Sequence, residues 1–205
     1  ADAYEFRILV TPVGPYYSGG VKPVAVKVPE YDRAAPHGTG AIKAGLNYAM
    51  SLYPSVEAHK EGFADNMFLD PQTHTYVEES GGANFMFVDK EGTIVVPQSA
   101  TNSILPSITR RSLVQVARDM LGMTVVERPV TFEEVASGEF VECGMCGTAA
   151  VISPVGKVVN GDTEIIFGEG GMEHVGPVMA KLRETLTGIQ DGEIEDRYGW
   201  GVKVC

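Results

Sequence analysis

Long hydrophobic runs are absent from this chain of 205 residues. The longest of them, such as residues 85–88 and 149–152, fall far short of the roughly 20 apolar residues that a membrane-spanning helix needs. The first residues do not resemble a secretion signal either. We therefore expect a soluble protein with no membrane partner.

Basic residues and cysteines are also scarce. Sixteen lysines and arginines stand against 27 aspartates and glutamates, which gives a net charge of -11, and the basic residues are scattered. This balance argues against a phosphate backbone as partner, so we expect no nucleic-acid binding. The three cysteines are an odd number that cannot all pair within the chain, which favours a reducing cytoplasm.

The composition that remains is that of an ordinary globular domain. Hydrophobic residues make up 44% of the chain and charged residues 21%, which excludes a disordered tail. The 24 glycines and 12 prolines predict many turns. The length suits one large domain or a domain and a half, and no internal repeat or linker is found.

The first part of the chain predicts two strands and a helix. Residues 5–11 and 24–28 have strand character and are separated by a loop rich in proline and glycine over residues 11–20. A helix follows residues 38–40, with a kink or restart at Pro54 and a stop at Gly62. The spacing of its apolar residues predicts one buried face, made of Ile42, Leu46, Ala49, Met50, Tyr53 and Val56.

The rest of the chain interleaves strands and helices. An amphipathic helix opens at Pro106 and ends at Gly122, and Thr131 begins a capping box for a short helix. Strands are predicted over residues 66–69, 75–79, 84–88, 93–96, 123–127, 139–143 and 148–152, and a last helix over residues 176–186. We therefore expect an α/β protein in which helices pack around a mixed sheet that curls toward a barrel.

Lys43 is the first candidate for chemistry. It lies among small residues in the segment GTGAIKAG of residues 38–45, without a carboxylate partner at helical spacing. A lysine removed from water loses basicity and becomes a nucleophile toward carbonyl groups. The alternative is an ordinary surface lysine, which the local sequence does not exclude.

Two adjacent carboxylates stand at a strand end in the segment EESGGAN of residues 78–84. Strand alternation sends Glu78 and Glu79 to opposite faces, so that one of them can face inward. An inward carboxylate near a heterocyclic nitrogen would keep that nitrogen protonated, as an electron-sink cofactor requires. The alternative is a solvated pair of acids at a turn.

Two further segments have features of an anion site. The segment ILPSITRR of residues 104–111 combines the free N–H groups of a helix start with a hydroxyl and two arginines. Gly147 and Thr148 similarly join a tight turn to a hydroxyl and exposed amides. The alternative for the first segment is an ordinary capped helix with solvated arginines.

The cysteines and histidines do not predict a metal site. Cys143 and Cys146 have the spacing of a redox disulfide or of half a zinc site, but no second ligand pair completes it. The four histidines, at positions 37, 59, 74 and 174, are far apart in sequence. We therefore expect no bound metal, and we expect Cys205 to be exposed at the chain end.

Taken together and in this order, four segments resemble the branched-chain aminotransferases, which are fold-type IV pyridoxal-phosphate enzymes. The segments are RAAPHGTGAIKAGLNY (residues 33–48), EESGGAN (78–84), LPSITR (105–110) and CGTAAVISP (146–154). The likeness runs from about residue 11 to residue 200 and includes GIQDG at residues 188–192 and GW at residues 199–200. It implies the large domain of that fold, a mixed sheet curled into a pseudo-barrel with flanking helices.

The resemblance implies a role for each matching residue. Lys43 matches the lysine that forms a Schiff base with pyridoxal 5'-phosphate and shuttles a proton, Tyr48 the tyrosine at the phenolic oxygen of the cofactor, and Glu79 the carboxylate at its pyridine nitrogen. The phosphate would be bound by Ile108 and Thr109 through the backbone, by the Thr148 hydroxyl, and by Arg33 as a second-shell or phosphate-side contact.

Substrate binding is implied for Thr148, Ala149 and Gly82. Ala149 matches a backbone donor to the substrate carboxylate. Some family members have threonine at the position of Gly82, so here that contact has to come from a backbone amide or be absent. The redox cysteine pair of the mammalian members falls on Ala150 and Ser153, and the family's thiol switch is therefore not transferred to this chain.

The activity implied is transamination between leucine, isoleucine or valine and 2-oxoglutarate. The enzyme would be a cytoplasmic homodimer, and its partners would be amino acids and 2-oxo acids. Residues 1–20 would be a strand and the connecting loop on the side of the family's small N-terminal domain, which this chain lacks, and residues 21–205 the cofactor-binding large domain. The alternatives are a D-amino-acid aminotransferase or an aminodeoxychorismate lyase of the same fold, or an inactive cofactor-domain fragment.

Overall fold

Four helices and eight strands form the part of the chain that this computed structural model describes, which is residues 2–12, 20–99 and 101–203. The strands are β1 (Val24–Lys27), β2 (Asp65–Asn66), β3 (Asn84–Asp89), β4 (Ile94–Pro97), β5 (Val125–Arg128), β6 (Phe140–Gly147), β7 (Val151–Asn160) and β8 (Thr163–Ile166). The helices are α1 (Gly45–Lys60), α2 (Ile108–Asp119), α3 (Phe132–Ala136) and α4 (Pro177–Asp191). Over these ranges, no helix has the length and apolar character needed to cross a membrane.

All eight strands belong to one mixed sheet, which confirms the predicted fold class. Its order is β2-β1-β7-β6-β3-β4-β5, with β8 paired to β7. β1 runs parallel to β2 and β7, and β4 runs parallel to β5, whereas the remaining neighbours are antiparallel. The central strands β3 and β6 are buried along most of their length, as strands covered on both faces are.

Isolated bridges join the two ends of this sheet. Beyond β2, Leu69 pairs with Val77, and the adjacent Tyr76 pairs with Thr131 just after β5. A backbone hydrogen bond of 2.8 Å from the Val77 N–H to the Val130 carbonyl continues the same path. The sheet therefore curls toward a closed barrel, although residues 66–69 and 75–79 supply mainly bridges where continuous strands were predicted.

Two hydrophobic clusters cover the two faces of the curled sheet. The inner cluster includes Phe85 and Phe87, and the outer cluster includes Met86. The two sets separate because side chains alternate between the faces along β3. In the outer cluster Met86 is joined by Leu113 of α2 and Leu182 of α4. These two helices are therefore held on the outside of the sheet by burial of apolar area, the main stabilising term of such a fold.

Local capping signals predicted α2 and α3 correctly. The Ser107 hydroxyl accepts a hydrogen bond from the Arg110 N–H at 3.2 Å, and the Thr131 hydroxyl accepts one from the Glu134 N–H at 3.1 Å. Each hydroxyl supplies an acceptor that the first turn of a helix lacks. α4 extends to Asp191, beyond the predicted end at residue 186, and stops at Gly192, whose φ is +76°.

The face of α1 that the apolar spacing predicted to be buried is in fact exposed. Leu46 is 61% exposed and Tyr53 is 57% exposed. The buried residues of α1 are instead Asn47, Ser51, Pro54 and Ala58, and the helix runs on through Pro54 to Lys60. The predicted face was wrong because small side chains let the helix pack closely against the protein, and close packing rather than apolar content selects the buried side here.

Residues 2–12 form no strand, contrary to the prediction for residues 5–11. Phe6, Leu9 and Val10 are about nine-tenths exposed. A strand requires a hydrogen-bonded neighbour, and the described residues offer none to this segment. Most of the loop predicted at residues 11–20, and Cys205, lie outside the described residues. β8 is a strand that the sequence analysis did not predict.

Candidate active site

One cavity of about 310 Å³ brings together well-separated parts of the chain. It lies between the loop before α1, the turn before β3, the start of α2 and the end of β6, and its volume is within the range of about 300–1,000 Å³ that is usual for ligand pockets. The proposed site residues that line it are Arg33, Lys43, Tyr48, Glu79, Gly82, Ile108 and Thr148. A larger cavity of about 690 Å³ beside the start of α4 contains none of them.

Lys43 and Tyr48 stand on the accessible side of this cavity. The Lys43 Nζ donates a hydrogen bond of 3.1 Å to the Tyr48 hydroxyl, and both side chains are exposed. Because α1 begins only at Gly45, Lys43 precedes the helix, and the turn into the helix brings the two side chains together. The desolvation of Lys43 that the sequence suggested is not present within the described chain.

Glu79 contributes a buried carboxylate to the wall of the cavity, with 3% exposure. Its Oε1 accepts a hydrogen bond of 2.7 Å from the Leu105 N–H and lies 2.8 Å from the Arg33 Nη2, while its Oε2 accepts from the Asn84 Nδ2 at 2.8 Å. Burial raises the pKa of Glu79 to about 7, although Arg33 and the Leu105 N–H lower it. Both protonation states are therefore accessible near neutral pH, at a fixed position.

Arg33 links this carboxylate to two loops. Its buried guanidinium donates to the Gly40 carbonyl at 3.0 Å and to the Ser103 carbonyl, besides the ion pair with Glu79. A side chain at Gly40 would overlap the backbone of Ser103, so glycine is required for this close approach. Arg33 therefore holds the segment before Lys43 against the segment before α2.

The first turn of α2 borders the cavity through Ser107 and Ile108. Ser107 accepts from the Arg110 N–H through its hydroxyl and from the Arg111 N–H through its carbonyl. The N–H groups of Ile108 and Thr109 have no acceptor within the helix, as at every helix start. These groups and the helix dipole favour an anion at this point, although Thr109 is not among the residues that line the cavity.

The turn between β6 and β7 places the proposed substrate residues at an adjoining cavity. This second cavity of about 190 Å³ adds Ala149 and Asp65. The two cavities meet at the residues that line both, which are Gly82, Ala83, Gly147 and Thr148.

The family-model comparison agrees with this arrangement. Residues 2–158 match the model of amino-transferase class IV, which is more than half of the chain. The chain belongs to the class IV aminotransferases.

Individual relatives of this class IV aminotransferase agree with the assignment. The branched-chain-amino-acid aminotransferase of Haemophilus influenzae is 46% identical over 100% of this chain and 59% of its own length, and that of Mycobacterium tuberculosis (strain H37Rv) is 43% identical over 98% and 55%. The chain thus spans somewhat more than half the length of these relatives. The resemblance to the branched-chain aminotransferases is confirmed.

Solved structures confirm the fold of the aminotransferase chain. The branched-chain amino acid aminotransferase of Escherichia coli matches with a TM-score of 0.78 at 34% identity, over 93% of this chain and 59% of that one. The enzyme of Thermobaculum terrenum, solved in its PLP-form, matches with a TM-score of 0.69 at 30% identity, over 84% and 52%. These matches identify the curled mixed sheet as that of the fold-type IV aminotransferases.

Asn84 was given no role from the sequence, yet its Nδ2 donates to the Glu79 Oε2 at 2.8 Å. Alternation predicted that Glu78 and Glu79 face opposite ways, and both are buried, as residues on either face of a sheet covered on both sides can be. Glu79 forms an isolated bridge with Asn84. The chain turns between Glu79 and Asn84, and the Ser80 hydroxyl accepts hydrogen bonds from the Gly82 and Ala83 N–H groups within this turn.

Cys143 and Cys146 lie on opposite faces of the sheet and do not form a pair. Strand alternation along β6 puts Cys143 in the inner cluster and Cys146 in the outer one, and both thiols are free and buried. Burial raises the pKa of Cys146 to about 12 and also raises the pKa of Cys143. No group of three or more His, Cys, Asp or Glu residues within the described ranges could hold a metal ion.

The backbone at Val151, the first residue of β7, is strained, and a substitution by glycine should relieve that strain measurably. Its φ is +62°, and the Ile152 N–H donates to the Ala150 carbonyl at 2.8 Å across it, which closes a three-residue turn that is unfavourable for a β-branched residue. We expect both Val151→Gly and Val155→Gly to lower the free energy of unfolding. The loss should be smaller by about 1–2 kcal/mol for Val151→Gly, because glycine accepts a positive φ. Urea unfolding of both variants measures the difference.

Val155 is the matched control because it is the same residue type, buried in the same strand, without a positive φ. Equal losses of stability in the two variants would show that residue 151 stores no strain.

The pKa of Glu79 predicts how the stability of the cofactor-free protein depends on pH. Since the folded pKa is raised from 4.5 to about 7, the folded state binds more protons than the unfolded state between these values. The contribution of Glu79 to the free energy of unfolding therefore falls as pH rises from 4.5 to about 7, by about 3 kcal/mol in total. In Glu79→Gln the slope of unfolding free energy against pH should flatten over pH 4.5–7. Parallel slopes for parent and variant would contradict the raised pKa.

Proposed function

We propose that this chain is the cofactor-binding large domain of a pyridoxal-phosphate-dependent branched-chain aminotransferase. The observation that carries the proposal is one cavity that combines the Lys43 amine, the Tyr48 hydroxyl, the buried Glu79 carboxylate and the N-terminus of α2. The names of the relatives reported above support branched-chain amino acids, that is leucine, isoleucine and valine, as the amino donors, and we propose 2-oxoglutarate as the acceptor. We also propose that the whole protein is a cytoplasmic homodimer.

The donor set of the cavity fits pyridoxal 5'-phosphate. A carboxylate suits the pyridine nitrogen, an amine suits the aldehyde, and a helix start with a nearby hydroxyl suits the phosphate. The buried Asn84 Oδ1, in the cavity wall, has no hydrogen-bond partner among the described residues. When bound there, the cofactor would supply an electron sink for the charge that develops at the substrate α-carbon.

Lys43 would carry the proton transfers of the reaction. Its Nζ would bind the cofactor at rest. As a free amine it would then remove the proton from the substrate α-carbon and deliver it to the cofactor carbon that is joined to the substrate nitrogen. An arginine could not take this role, because it stays charged. The Tyr48 hydroxyl, which is already within hydrogen-bond distance of the Lys43 Nζ, would donate to the phenolic oxygen of the cofactor and keep the amine beside the reacting carbon.

Glu79 would hold a proton at the pyridine nitrogen. Its carboxylate is fixed by donors on both oxygens, so it needs little reorganisation to act. The N–H groups of Ile108 and Thr109 and the Thr148 hydroxyl would bind the phosphate, and Arg33 would act through Glu79.

The adjoining cavity would receive the substrate carboxylate. Ala149 through its backbone N–H, together with Thr148 and the backbone at Gly82, would supply the donors there. The nearby Asp65 is held by the N–H groups of Asn66 and Gly81, so its charge is partly satisfied by the protein.

Apolar surface on the chain supports the proposal that the family's small N-terminal domain completes the protein. Residues 2–12 and one side of α1 expose large side chains that an isolated domain would leave in water, including Phe6, Leu9, Leu46, Leu52 and Tyr53. In this proposal residues 1–20 connect the two domains and residues 21–205 form the large one.

Borohydride reduction followed by peptide mapping tests the proposed function. The protein in its full-length form, mixed with pyridoxal 5'-phosphate and reduced, should carry one pyridoxyl group as a secondary amine on the Lys43 Nζ. A substrate panel then separates the branched-chain amino acids from D-amino acids and aminodeoxychorismate. Labelling at other lysines only, or turnover confined to the last two substrates, would contradict the proposal.

A further inference from the structure

A second glutamate, Glu78, is buried directly behind the proposed cofactor carboxylate. It is 2% exposed, and its Oε1 accepts hydrogen bonds from the hydroxyls of Ser99 at 3.0 Å, Thr101 at 3.1 Å and Ser103. Three hydroxyl donors on one carboxylate oxygen form a hydrogen-bonded cluster around a buried group, which is costly unless it is satisfied. We call Glu78 with these three residues the hydroxyl cluster.

The hydroxyl cluster also holds backbone N–H groups of the segment that leads to α2, at Thr101 and Ser103. The Ser99 hydroxyl, besides donating to Glu78, accepts from the Ser103 N–H at 2.8 Å and from the Thr101 N–H at 3.2 Å. The Ser103 hydroxyl also contacts the hydroxyls of Ser99 at 3.0 Å and Thr101 at 2.6 Å. Ser99, Thr101 and Ser103 are therefore gathered around the Glu78 carboxylate.

The segment that leads to α2 touches the site on two sides. Its Ser103 carbonyl accepts from Arg33 and packs against Gly40, three residues before Lys43. Two residues further on, the Leu105 N–H donates to the Glu79 Oε1 at 2.7 Å. A shift of this segment would therefore move both the partners of Glu79 and the loop that leads to Lys43.

We propose that Glu78 is a positioning residue that, through the hydroxyl cluster, places Arg33 and the Leu105 N–H on Glu79. The proposal rests on the proposed function, because it assigns Glu78 a role at the same cofactor site. The acceptor oxygen Oε1 of Glu78, rather than the negative charge of the carboxylate, does the positioning, since the contacts described above are hydrogen bonds from neutral hydroxyls to this one atom. Glu78→Gln should therefore preserve the positions of Arg33 and the Leu105 N–H, and Glu78→Ala should not.

The test compares Glu78→Ala with Glu78→Gln in the full-length protein, with two readouts. The first is the dissociation constant of pyridoxal 5'-phosphate, and the second is hydrogen exchange of the Leu105 amide without cofactor. We expect Glu78→Ala to weaken cofactor binding about tenfold or more and to speed Leu105 exchange at least as much, and Glu78→Gln to stay within about threefold of the parent.

Two further variants separate positioning from general destabilisation. Glu142→Ala removes another buried carboxylate, which accepts from the Val178 and Met179 N–H groups of α4, and should leave both readouts near the parent values even if it lowers stability. Ser99→Ala keeps the carboxylate but removes the hydroxyl that holds the Thr101 and Ser103 N–H groups, and it should shift both readouts in the direction of Glu78→Ala. This variant keeps the proposal testable if Glu78→Ala does not fold.

The outcomes are distinct. Parent-like binding and exchange in Glu78→Ala and Ser99→Ala would overturn the proposal, and so would equal losses in Glu78→Ala and Glu78→Gln, which would assign the effect to charge. Failure of the parent to bind the cofactor would instead refute the proposed function, while the exchange data would still report whether Glu78 holds Leu105.

Discussion

Lys43→Ala is expected to abolish transamination while leaving the fold intact. The proposed mechanism needs one amine for two tasks, binding the cofactor and moving the α-proton, and alanine performs neither. We expect turnover to fall by at least about 10⁴-fold, the upper range for loss of a positioned acid or base. Lys43 is exposed, and its one described hydrogen bond is to Tyr48, so stability should change by less than about 0.5 kcal/mol.

Lys60→Ala is the matched control for this substitution. Lys60 is an exposed lysine at the far end of α1, where it pairs with Glu57 on the surface. It should keep parental turnover, and borohydride should label Lys43 in it as in the parent. Assays of both variants in the full-length protein give the comparison. Appreciable turnover by Lys43→Ala would refute the assignment of Lys43 as the reactive amine.

Glu79→Gln should leave the cofactor bound but slow removal of the substrate α-proton by on the order of 10²-fold to 10³-fold, the usual cost of one preorganised electrostatic contact. Glutamine keeps an acceptor oxygen for the Leu105 N–H and for Arg33 but carries no charge to hold a proton at the pyridine nitrogen. Exchange of the substrate α-hydrogen with deuterated water, followed by NMR, measures this step without the second half of the reaction.

Glu142→Gln provides the corresponding control, because Glu142 is also a buried glutamate, but it lies on β6 with its carboxylate bound to the start of α4, and it does not line the cavity. Its exchange rate should equal that of the parent. If Glu79→Gln exchanges the α-hydrogen as fast as the parent does, Glu79 has no part in stabilising the charge that forms at the α-carbon.

Elements whose signals are local could be predicted from the sequence. Thr131 caps α3 as its spacing to Glu134 indicated, because a cap is formed within one helical turn. α2 begins at Ile108, two residues after the predicted start at Pro106. β3 and β4 lie where strands were predicted over residues 84–88 and 93–96, and they pair across a turn between adjacent segments. The order of the four motifs was sufficient to identify the family.

The burial of particular faces was decided only by the tertiary structure. The apolar spacing of α1 indicated a buried side, but the helix buries Asn47 and Ser51 and leaves Leu46 exposed, because the shape of the surface it meets selects small side chains. The predicted strand at residues 5–11 lacks a partner within the described chain. A strand-like sequence pattern is not sufficient, because a strand needs a hydrogen-bonded neighbour.

The sequence by itself determined the family, the mixed sheet and the residue types of the candidate site. Only the tertiary structure decided that Glu79 meets Arg33 and Leu105, and that Glu78 lies buried among three hydroxyls. Ser99 is 21 residues from Glu78, and Leu105 is 26 residues from Glu79 along the chain. Such contacts arise only when the sheet curls and brings distant loops together, and no local spacing encodes them.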